Sequence, residues 1–220
     1  MSVIIICITI FIFCIVFKIT FYRYLIGSLI ILSLPVISVY RAAGSFKNGA
    51  RSQAKVFEAE AFGSALPYSV GGTHRHIPEI LQNFAHAAGK SAAEADDYTL
   101  AFTPILAPMA RGILATVSAK LTDKALGMTD AEIRQVWLDA YEGQDFMVVL
   151  PEGVMPATAN IIGSNAAHIQ VVVDHHAGRL LAFAAIDNLN RGTAGQAVQS
   201  LNVALGLPED AGLTKIGVAP

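Results

Sequence analysis

The stretch that decides the fold is HIQVVVD (168–174), HHAG (175–178) and RLLAFAAID (179–187). Both flanks are rich in β-branched and apolar residues, as buried strands are, and the four residues between them include a glycine. A short glycine-containing connection between two such runs is typical of a β-hairpin, whose strands pair antiparallel. We expect His175 and His176 in the turn to face solvent.

Regular patterns continue on both sides of this hairpin. Strands are predicted for four further segments: SLPVISVY (33–40), DYTLAFTPILAP (97–108), GILATVSAKL (112–121) and FMVVLPEG (146–153). Helices are predicted at 78–88, 129–143 and 192–207, and the second begins with Thr129 and Glu132 at the spacing of a capping box. On the last helix, neighbouring rows carry Val198, Leu201, Asn202 and Leu205. We therefore predict an α+β fold, in which helices cover a mixed, mostly antiparallel sheet.

The overall composition excludes some classes of partner. The 220 residues carry a formal charge of -2, so the chain has neither the basic surface of a nucleic-acid-binding protein nor an acidic solvating tail. Its two cysteines, Cys7 and Cys14, lie in one apolar run, which argues against a disulfide framework. We expect no nucleic acid among the partners.

The composition changes abruptly near residue 42. Residues 1–41 are rich in isoleucine and contain no alanine, whereas alanine and glycine are frequent from Ala42 onward. We therefore divide the chain into an apolar segment, 1–41, and a domain, 42–220. Lys18 and Arg23 interrupt the apolar residues between 3 and 40, and a spanning helix needs roughly 20 apolar residues. The segment is interpreted as a membrane anchor, as diverged or foreign sequence, or as the product of an incorrect start.

Four motifs of the domain occur in an order that identifies a family. They are GGTHRHIPEI (71–80), FTPILAPMARGILATV (102–117), LPEG (150–153) followed by IIGSNAAHI (161–169), and AIDNLNRGTAGQAVQSLNVALGLPEDAGL (185–213). By these motifs the chain resembles the N-acetyl-gamma-glutamyl-phosphate reductases, a family of the glyceraldehyde-3-phosphate/aspartate-semialdehyde dehydrogenase class. The resemblance implies a cytoplasmic homo-oligomer of arginine biosynthesis, which uses NADPH to reduce N-acetyl-glutamyl 5-phosphate to N-acetyl-glutamate 5-semialdehyde.

The resemblance also supplies the candidate site residues. His74 resembles the catalytic base, Tyr68, His76 and Arg111 match positions that bind the substrate, and Asn188 and Gly192 match the stretch that approaches the nicotinamide of NADP. A histidine suits the first role because its pKa lies near neutrality, where it can raise the thiolate character of a cysteine and shuttle the proton. A helix that begins near Pro78 would favour an anion at its N-terminus.

Two motifs of the family are absent from this sequence. Neither the Gly-x-x-Gly-Tyr-x-Gly loop of the nucleotide-binding domain nor the Gly-Cys-Tyr-Pro-Thr motif of the nucleophile occurs in it. Cys14 lies at about the family's spacing before His74 and is the candidate nucleophile, although its neighbours FCIVF differ from the motif. We expect a fragment that lacks the NADP-binding domain and has no NADPH-dependent turnover alone. The alternative is a membrane-associated, non-catalytic protein that binds substrate or a partner.

Some of these residues have other interpretations. His74 and His76 would point to one side of an extended segment, as a pair of metal ligands does, but no third ligand is predictable and a plain polar turn also fits. We assign no metal site. Arg111 also suits an ion pair, and Asn165 also suits a capping role in a Gly-Ser-Asn turn.

Overall fold

The structure is a computed structural model that describes residues 32–42, 64–91, 93 and 98–218, with the backbone alone for 32–42. The predictions for residues 1–31, including those for Cys7 and Cys14, lie outside the described residues. The structural statements below concern the described ranges.

A single sheet of seven strands organises the described part of the chain. The strands are β1 (Leu32–Ala42), β2 (Leu66–Pro67), β3 (Ala101–Ala107), β4 (Ile113–Leu121), β5 (Met147–Val149), β6 (Ala167–Asp174) and β7 (Arg179–Ile186). They lie in the order β2-β3-β1-β4-β7-β6-β5. The pairs β1–β3 and β5–β6 are parallel and the other neighbours are antiparallel. The predicted mixed, mostly antiparallel sheet is therefore confirmed.

The predicted hairpin is formed by β6 and β7. Its antiparallel register runs from the pair Ala167 and Ile186 to the pair Asp174 and Arg179, next to the turn. His175 and His176 in that turn are exposed, as expected, and His175 Nε2 lies 2.8 Å from Asp130 Oδ1. The two apolar, β-branched runs and the short glycine-containing turn thus predicted both the strands and their pairing.

Strand β1 lies inside the sheet, between β3 and β4. Residues 32–40 of the apolar stretch therefore form a paired strand, and the proposed division at residue 41 falls near the end of that strand. Within the described residues, no helix combines the length and the apolar character that crossing a membrane requires.

The three predicted helices are confirmed, and a fourth, shorter helix accompanies them. The helices are α1 (Ile77–Ala87), α2 (Asp123–Leu126), α3 (Asp130–Tyr141) and α4 (Gly195–Ala204), with a 3-10 turn at Thr158–Ile161 and a π-helical turn at Asn190–Ala194. The capping box at the start of α3 is present: the Glu132 amide donates to Thr129 Oγ1 (3.3 Å), and the Thr129 amide donates to Glu132 Oε2 (2.8 Å). Sequence analysis missed α2, which begins after Thr122.

Helices α1 and α3 bury their apolar faces against one face of the sheet. Ile133, Trp137 and Tyr141 repeat every fourth residue along α3, so they share one face of that helix. They join Ile80 and Phe84 of α1 in the main hydrophobic cluster. The cluster also contains the alternate residues of β4, namely Ile113, Ala115, Val117, Ala119 and Leu121. Removal of this apolar surface from water is the main force that holds the layers together.

Helix α4 differs from α1 and α3, because the side that it buries is polar. Asn202 is only 5% exposed, whereas Val198, Leu201 and Leu205 are 40%, 55% and 64% exposed. Gln196 and Gln199 are also buried. The helix therefore packs through hydrogen bonds rather than through its apolar row.

Candidate functional site

Four aromatic and imidazole rings lie together where β2 meets β3. The ring centroid of His74 lies 5.7 Å from Tyr68, 4.8 Å from His76 and 4.8 Å from Phe102, each in an edge arrangement. The Tyr68 amide donates to the carbonyl of Pro104 (3.1 Å), which ties the group to β3. We call Tyr68, His74, His76 and Phe102 the ring cluster. The structure thus brings together the three candidate residues of the GGTHRHIPEI region.

A tight turn sets the direction of the His74 ring. Gly71 and Gly72 adopt positive φ angles of 70° and 81°, a conformation that favours glycine. The His76 amide then donates to His74 Nδ1 (3.2 Å), so the proton of a neutral His74 ring lies on Nε2. In this arrangement Nε2 is a donor. Accepting a proton there as a base requires the ring proton to move to Nδ1, which breaks the contact with the His76 amide.

The described residues contain no group of three or more His, Cys, Asp or Glu side chains placed to hold a metal ion. His74 and His76 contact each other ring to ring.

A second group of candidate residues surrounds Asp187, which directly follows β7 and is fully buried. Asp187 Oδ1 accepts hydrogen bonds from Arg111 Nε (3.1 Å) and from the amides of Leu189 (2.9 Å) and Asn190 (3.2 Å). Its Oδ2 accepts from Arg111 Nη2 (2.5 Å) and from the amide of Gly163 (2.6 Å). We call Arg111, Gly163, Asp187, Leu189 and Asn190 the Asp187 cluster. One carboxylate therefore joins three separate segments of the chain.

Arg111 forms the ion pair that the sequence left open as one of its two interpretations. Nε and Nη2 both contact Asp187, and the side chain remains 31% exposed. Nη1 makes no hydrogen bond within the part of the chain that the structure describes. The predicted contact of Arg111 with an anionic ligand stays a prediction, and Nη1 is the nitrogen that could make it.

Asn188 and Gly192 belong to the segment that continues from Asp187. Asn188 Oδ1 accepts from the amide of Gly112 (2.6 Å), and the Gly192 amide donates to the carbonyl of Asp187 (3.0 Å). Gly112 has a φ of 113°, and a Cβ there would lie 2.9 Å from Thr158 Cβ. These hydrogen bonds hold the segment against the turn that carries Arg111. Arg111, Asn188 and Gly192 therefore lie close together.

Arg191 is directed into a different set of contacts. It is 3% exposed, Nη1 donates to Gln199 Oε1 (2.5 Å), and the guanidinium lies 5.8 Å from the centre of the Phe146 ring. Burial lowers the pKa of Arg191 to about 10, and the charge of Glu209 partly opposes that shift. Asn165 Nδ2 also donates to Gln199 Oε1 (3.0 Å), a contact between side chains that supports a structural role for Asn165.

The ring cluster and the Asp187 cluster lie apart. Through the strand registers, Phe102 of β3 is in the same row as Ala182 of β7, three strands away. Asp187 lies roughly 16 Å further along β7, and three strand spacings are about 14 Å, so the Cα atoms of Phe102 and Asp187 are on the order of 20 Å apart.

Comparison with known proteins identifies the family. The sequence profile described as "Semialdehyde dehydrogenase, dimerisation domain" matches residues 29–188. The chain belongs to this family. The match covers most of the chain, from before β1 to just beyond Asp187.

Relatives within the semialdehyde dehydrogenase family include N-acetyl-gamma-glutamyl-phosphate reductases, so the resemblance found in the sequence motifs is confirmed. The protein of that name from Bifidobacterium longum (strain DJO10A) is 77% identical over 178 residues, which are 81% of this chain and 48% of that protein. The one from Renibacterium salmoninarum is 47% identical over 185 residues, or 84% of this chain and 51% of that protein. The chain thus spans about half the length of the curated relatives it matches.

Solved structures of semialdehyde dehydrogenases share the fold. Aspartate semialdehyde dehydrogenase II from Vibrio cholerae superposes with a TM-score of 0.55 at 15% sequence identity, over 79% of this chain and 55% of that one. At this identity the likeness concerns the fold alone. None of the comparisons supports the alternative of a membrane-associated, non-catalytic protein.

Sequence analysis missed the residue that organises the second cluster. Asp187 stands next to Asn188 in the family motif AIDNLNRG, and that position was its only signal. Its partners Arg111 and Gly163 lie far away along the chain, so the sequence gives no indication that they converge on it.

Proposed function

We propose that this chain forms the substrate-binding and dimerisation part of an N-acetyl-gamma-glutamyl-phosphate reductase. The whole enzyme would use NADPH to reduce N-acetyl-glutamyl 5-phosphate to N-acetyl-glutamate 5-semialdehyde, a cytoplasmic step of arginine biosynthesis. The observation that carries the proposal is the 77% identity to the Bifidobacterium longum reductase over 178 residues. Family membership and fold agree with it.

The two clusters would serve different parts of this reaction. His74, with Tyr68 and His76 beside it, would exchange a proton with the reacting thiol and acyl groups, and Cys14 is the candidate thiol. Arg111 would bind a phosphate or carboxylate through Nη1, because a guanidinium forms strong charge-assisted hydrogen bonds with such groups. Asn188 and Gly192, beside Arg111, would face the nicotinamide. NADP, when bound, supplies the hydride.

The direct test is calorimetric titration of the full chain with N-acetyl-glutamate in the presence of inorganic phosphate. Binding is expected, and Arg111→Gln should weaken it about 10- to 100-fold, because a charge-assisted hydrogen bond contributes about 1.5–3 kcal/mol. Lys215→Gln is the matched control, since it removes an exposed cation that pairs with Asp145. Absence of binding, or equal losses in both variants, would contradict the proposal.

A turnover assay separates binding from reaction. Because neither the nucleotide-binding loop nor the nucleophile motif occurs in its 220 residues, we expect the full chain to bind without oxidising NADPH. Turnover that Cys14→Ser abolishes would show this expectation to be wrong and would identify Cys14 as the nucleophile.

The homo-oligomer is also part of the proposal. The family profile is named for dimerisation, and the second face of the sheet carries apolar side chains that are only partly buried, including Leu114, Leu181 and Phe183. Phe183→Glu should convert a dimer to a monomer in light-scattering measurements, because association would bury that charge without a partner. Leu205→Glu, at an exposed apolar position of α4, is the control. If Leu205→Glu alone dissociates the dimer, the interface lies on α4 instead.

A further inference from the structure

We propose that Asp187 is a positioning residue, which holds the guanidinium of Arg111 so that its Nη1 edge is presented to an incoming phosphate or carboxylate. The inference rests on the proposed function, because it takes Arg111 as the group that binds the anion. It assigns to Asp187 a role through Arg111 rather than a contact with the ligand, since the Asp187 side chain is fully buried.

The position of the carboxylate does not depend on Arg111 alone. The amides of Gly163, Leu189 and Asn190 donate to it, so it is fixed by a loop before β6 and by the segment after β7. Asn190 Nδ2 also donates to the carbonyl of Gly163 (2.7 Å), which joins these two segments directly. The anchor for Arg111 is therefore held by contacts that do not involve Arg111.

The geometry of Arg111 follows from this anchor. A guanidinium is planar, and two of its nitrogens, Nε and Nη2, are directed at the two oxygens of one carboxylate. Two contacts in one plane prevent the group from turning about the side-chain axis. Nη1 is then directed away from Asp187, on a side chain that is 31% exposed. An arginine held in this way loses less conformational freedom when an anion binds.

The sign of the electrostatic effect makes the proposal testable. A carboxylate next to an anion-binding arginine repels the anion, so its charge alone lowers affinity. If Asp187 acted only through its charge, Asp187→Asn would therefore strengthen anion binding. If it acts by orienting Arg111, the same substitution weakens binding. The two explanations predict opposite directions.

The first measurement follows Arg111 directly, without any ligand. In nitrogen-15 spectra of the full chain, the Nε–H signal that disappears in Arg111→Gln should exchange slowly with water, because Nε–H is bonded to a buried oxygen. This signal should be lost or averaged in Asp187→Asn and retained in Asp145→Asn, which weakens an exposed ion pair. An Arg111 Nε–H that exchanges as fast in the wild type as in Asp187→Asn would overturn the positioning role.

The second measurement is titration with inorganic phosphate. Asp187→Asn should weaken binding about tenfold, which corresponds to the loss of one oriented charge-assisted hydrogen bond. In an Arg111→Gln background it should cause no further loss, since Asp187 acts through Arg111. Stronger binding in Asp187→Asn, or the same loss in both backgrounds, would contradict the proposal.

A variant that leaves Asp187 in place guards against a simple failure of Asp187→Asn to fold. Arg111→Lys keeps the charge but cannot make the two-point contact, so it should bind phosphate more weakly than the wild type. Wild-type affinity in Arg111→Lys would overturn the positioning role.

Parallel titrations identify the source of the anion. Titration with N-acetyl-glutamate and with NADP shows which of the two loses affinity in Arg111→Gln, and so whether the anion belongs to the substrate or the cofactor. Absence of phosphate binding by the wild type would show the anion contact of the proposed function to be wrong, whereas the Nε–H measurement decides the positioning role separately.

Discussion

The two groups of candidate residues are held in different ways. In the Asp187 cluster, a fully buried carboxylate accepts five hydrogen bonds from three segments of the chain. In the ring cluster, His74 meets the edges of three neighbouring rings, and its Nδ1 accepts from the His76 amide. Aromatic pairs contribute about 0.5–1.5 kcal/mol each, whereas a buried charge that loses its partner costs several times more.

This difference teaches which role each cluster suits. A carboxylate with fixed partners defines one geometry and suits the orientation of a ligand. An imidazole can take up or release a proton near neutral pH, which suits proton transfer. Substitutions should therefore affect folding strongly in the Asp187 cluster and weakly in the ring cluster.

The largest effect is expected from Asp187→Ala. It leaves the Arg111 guanidinium and three backbone amides without their acceptor, so the free energy of unfolding should fall by about 3–5 kcal/mol, as for other broken buried ion pairs. Denaturant unfolding measures this fall. The control is Asp145→Ala, which removes the partner of Lys215 from a pair with both side chains more than 40% exposed and should cost about 1 kcal/mol or less. Equal losses in the two variants would remove the distinction between the clusters.

A smaller effect on stability is expected from His74→Ala. Because His74 is only half-buried, its three ring contacts should contribute near the low end of their range, and their loss should lower the free energy of unfolding by about 1.5–2 kcal/mol. The control is His86→Ala, at an exposed position of α1. A loss as large as that of Asp187→Ala would show that the ring cluster is as tightly fixed as the Asp187 cluster.

The smallest expected effect is on the pH dependence of the free energy of unfolding. Measuring it shows whether a histidine of the ring cluster or His168 in the sheet makes the fold sensitive to acid. Burial lowers the pKa of the His168 imidazole below its ordinary value of 6.5. The unfolded chain therefore binds a proton at His168 at a higher pH than the folded chain does, and the stability present above pH 6.5 declines as pH falls toward the lowered pKa. His168→Gln should unfold with a weaker pH dependence in that window.

The matched control for His168→Gln is His176→Gln, which removes an exposed histidine from the turn at the end of the same strand. If His168→Gln keeps the full acid dependence and His74→Gln loses it, the ring cluster carries the sensitivity instead.

The sequence predicted the local elements well because their signals are local. Apolar, β-branched runs gave the strands of the hairpin, and Thr129 with Glu132 gave the start of α3. It missed α2, whose four residues are too few for a periodic pattern. The sequence also did not predict that α4 buries its polar side. The burial of Gln199 and Asn202 depends on polar partners elsewhere in the chain, among them Arg191 and Glu209.

The candidate site was predicted only in part, for a related reason. The order of the motifs identified His74, Arg111 and Asn188 as candidate site residues. Spacing along the chain, however, does not determine which strand ends meet. The separation between the two clusters follows from the position of β1 between β3 and β4, which is a long-range pairing. The importance of Asp187 likewise became evident only from its hydrogen bonds.

The most direct test of the central claim is a crystal structure of the full chain with N-acetyl-glutamate and inorganic phosphate. We expect an ordered phosphate or carboxylate within hydrogen-bonding distance of Arg111 Nη1, while Nε and Nη2 remain on Asp187. An ordered anion elsewhere, or one that has drawn Arg111 away from Asp187, would contradict the account.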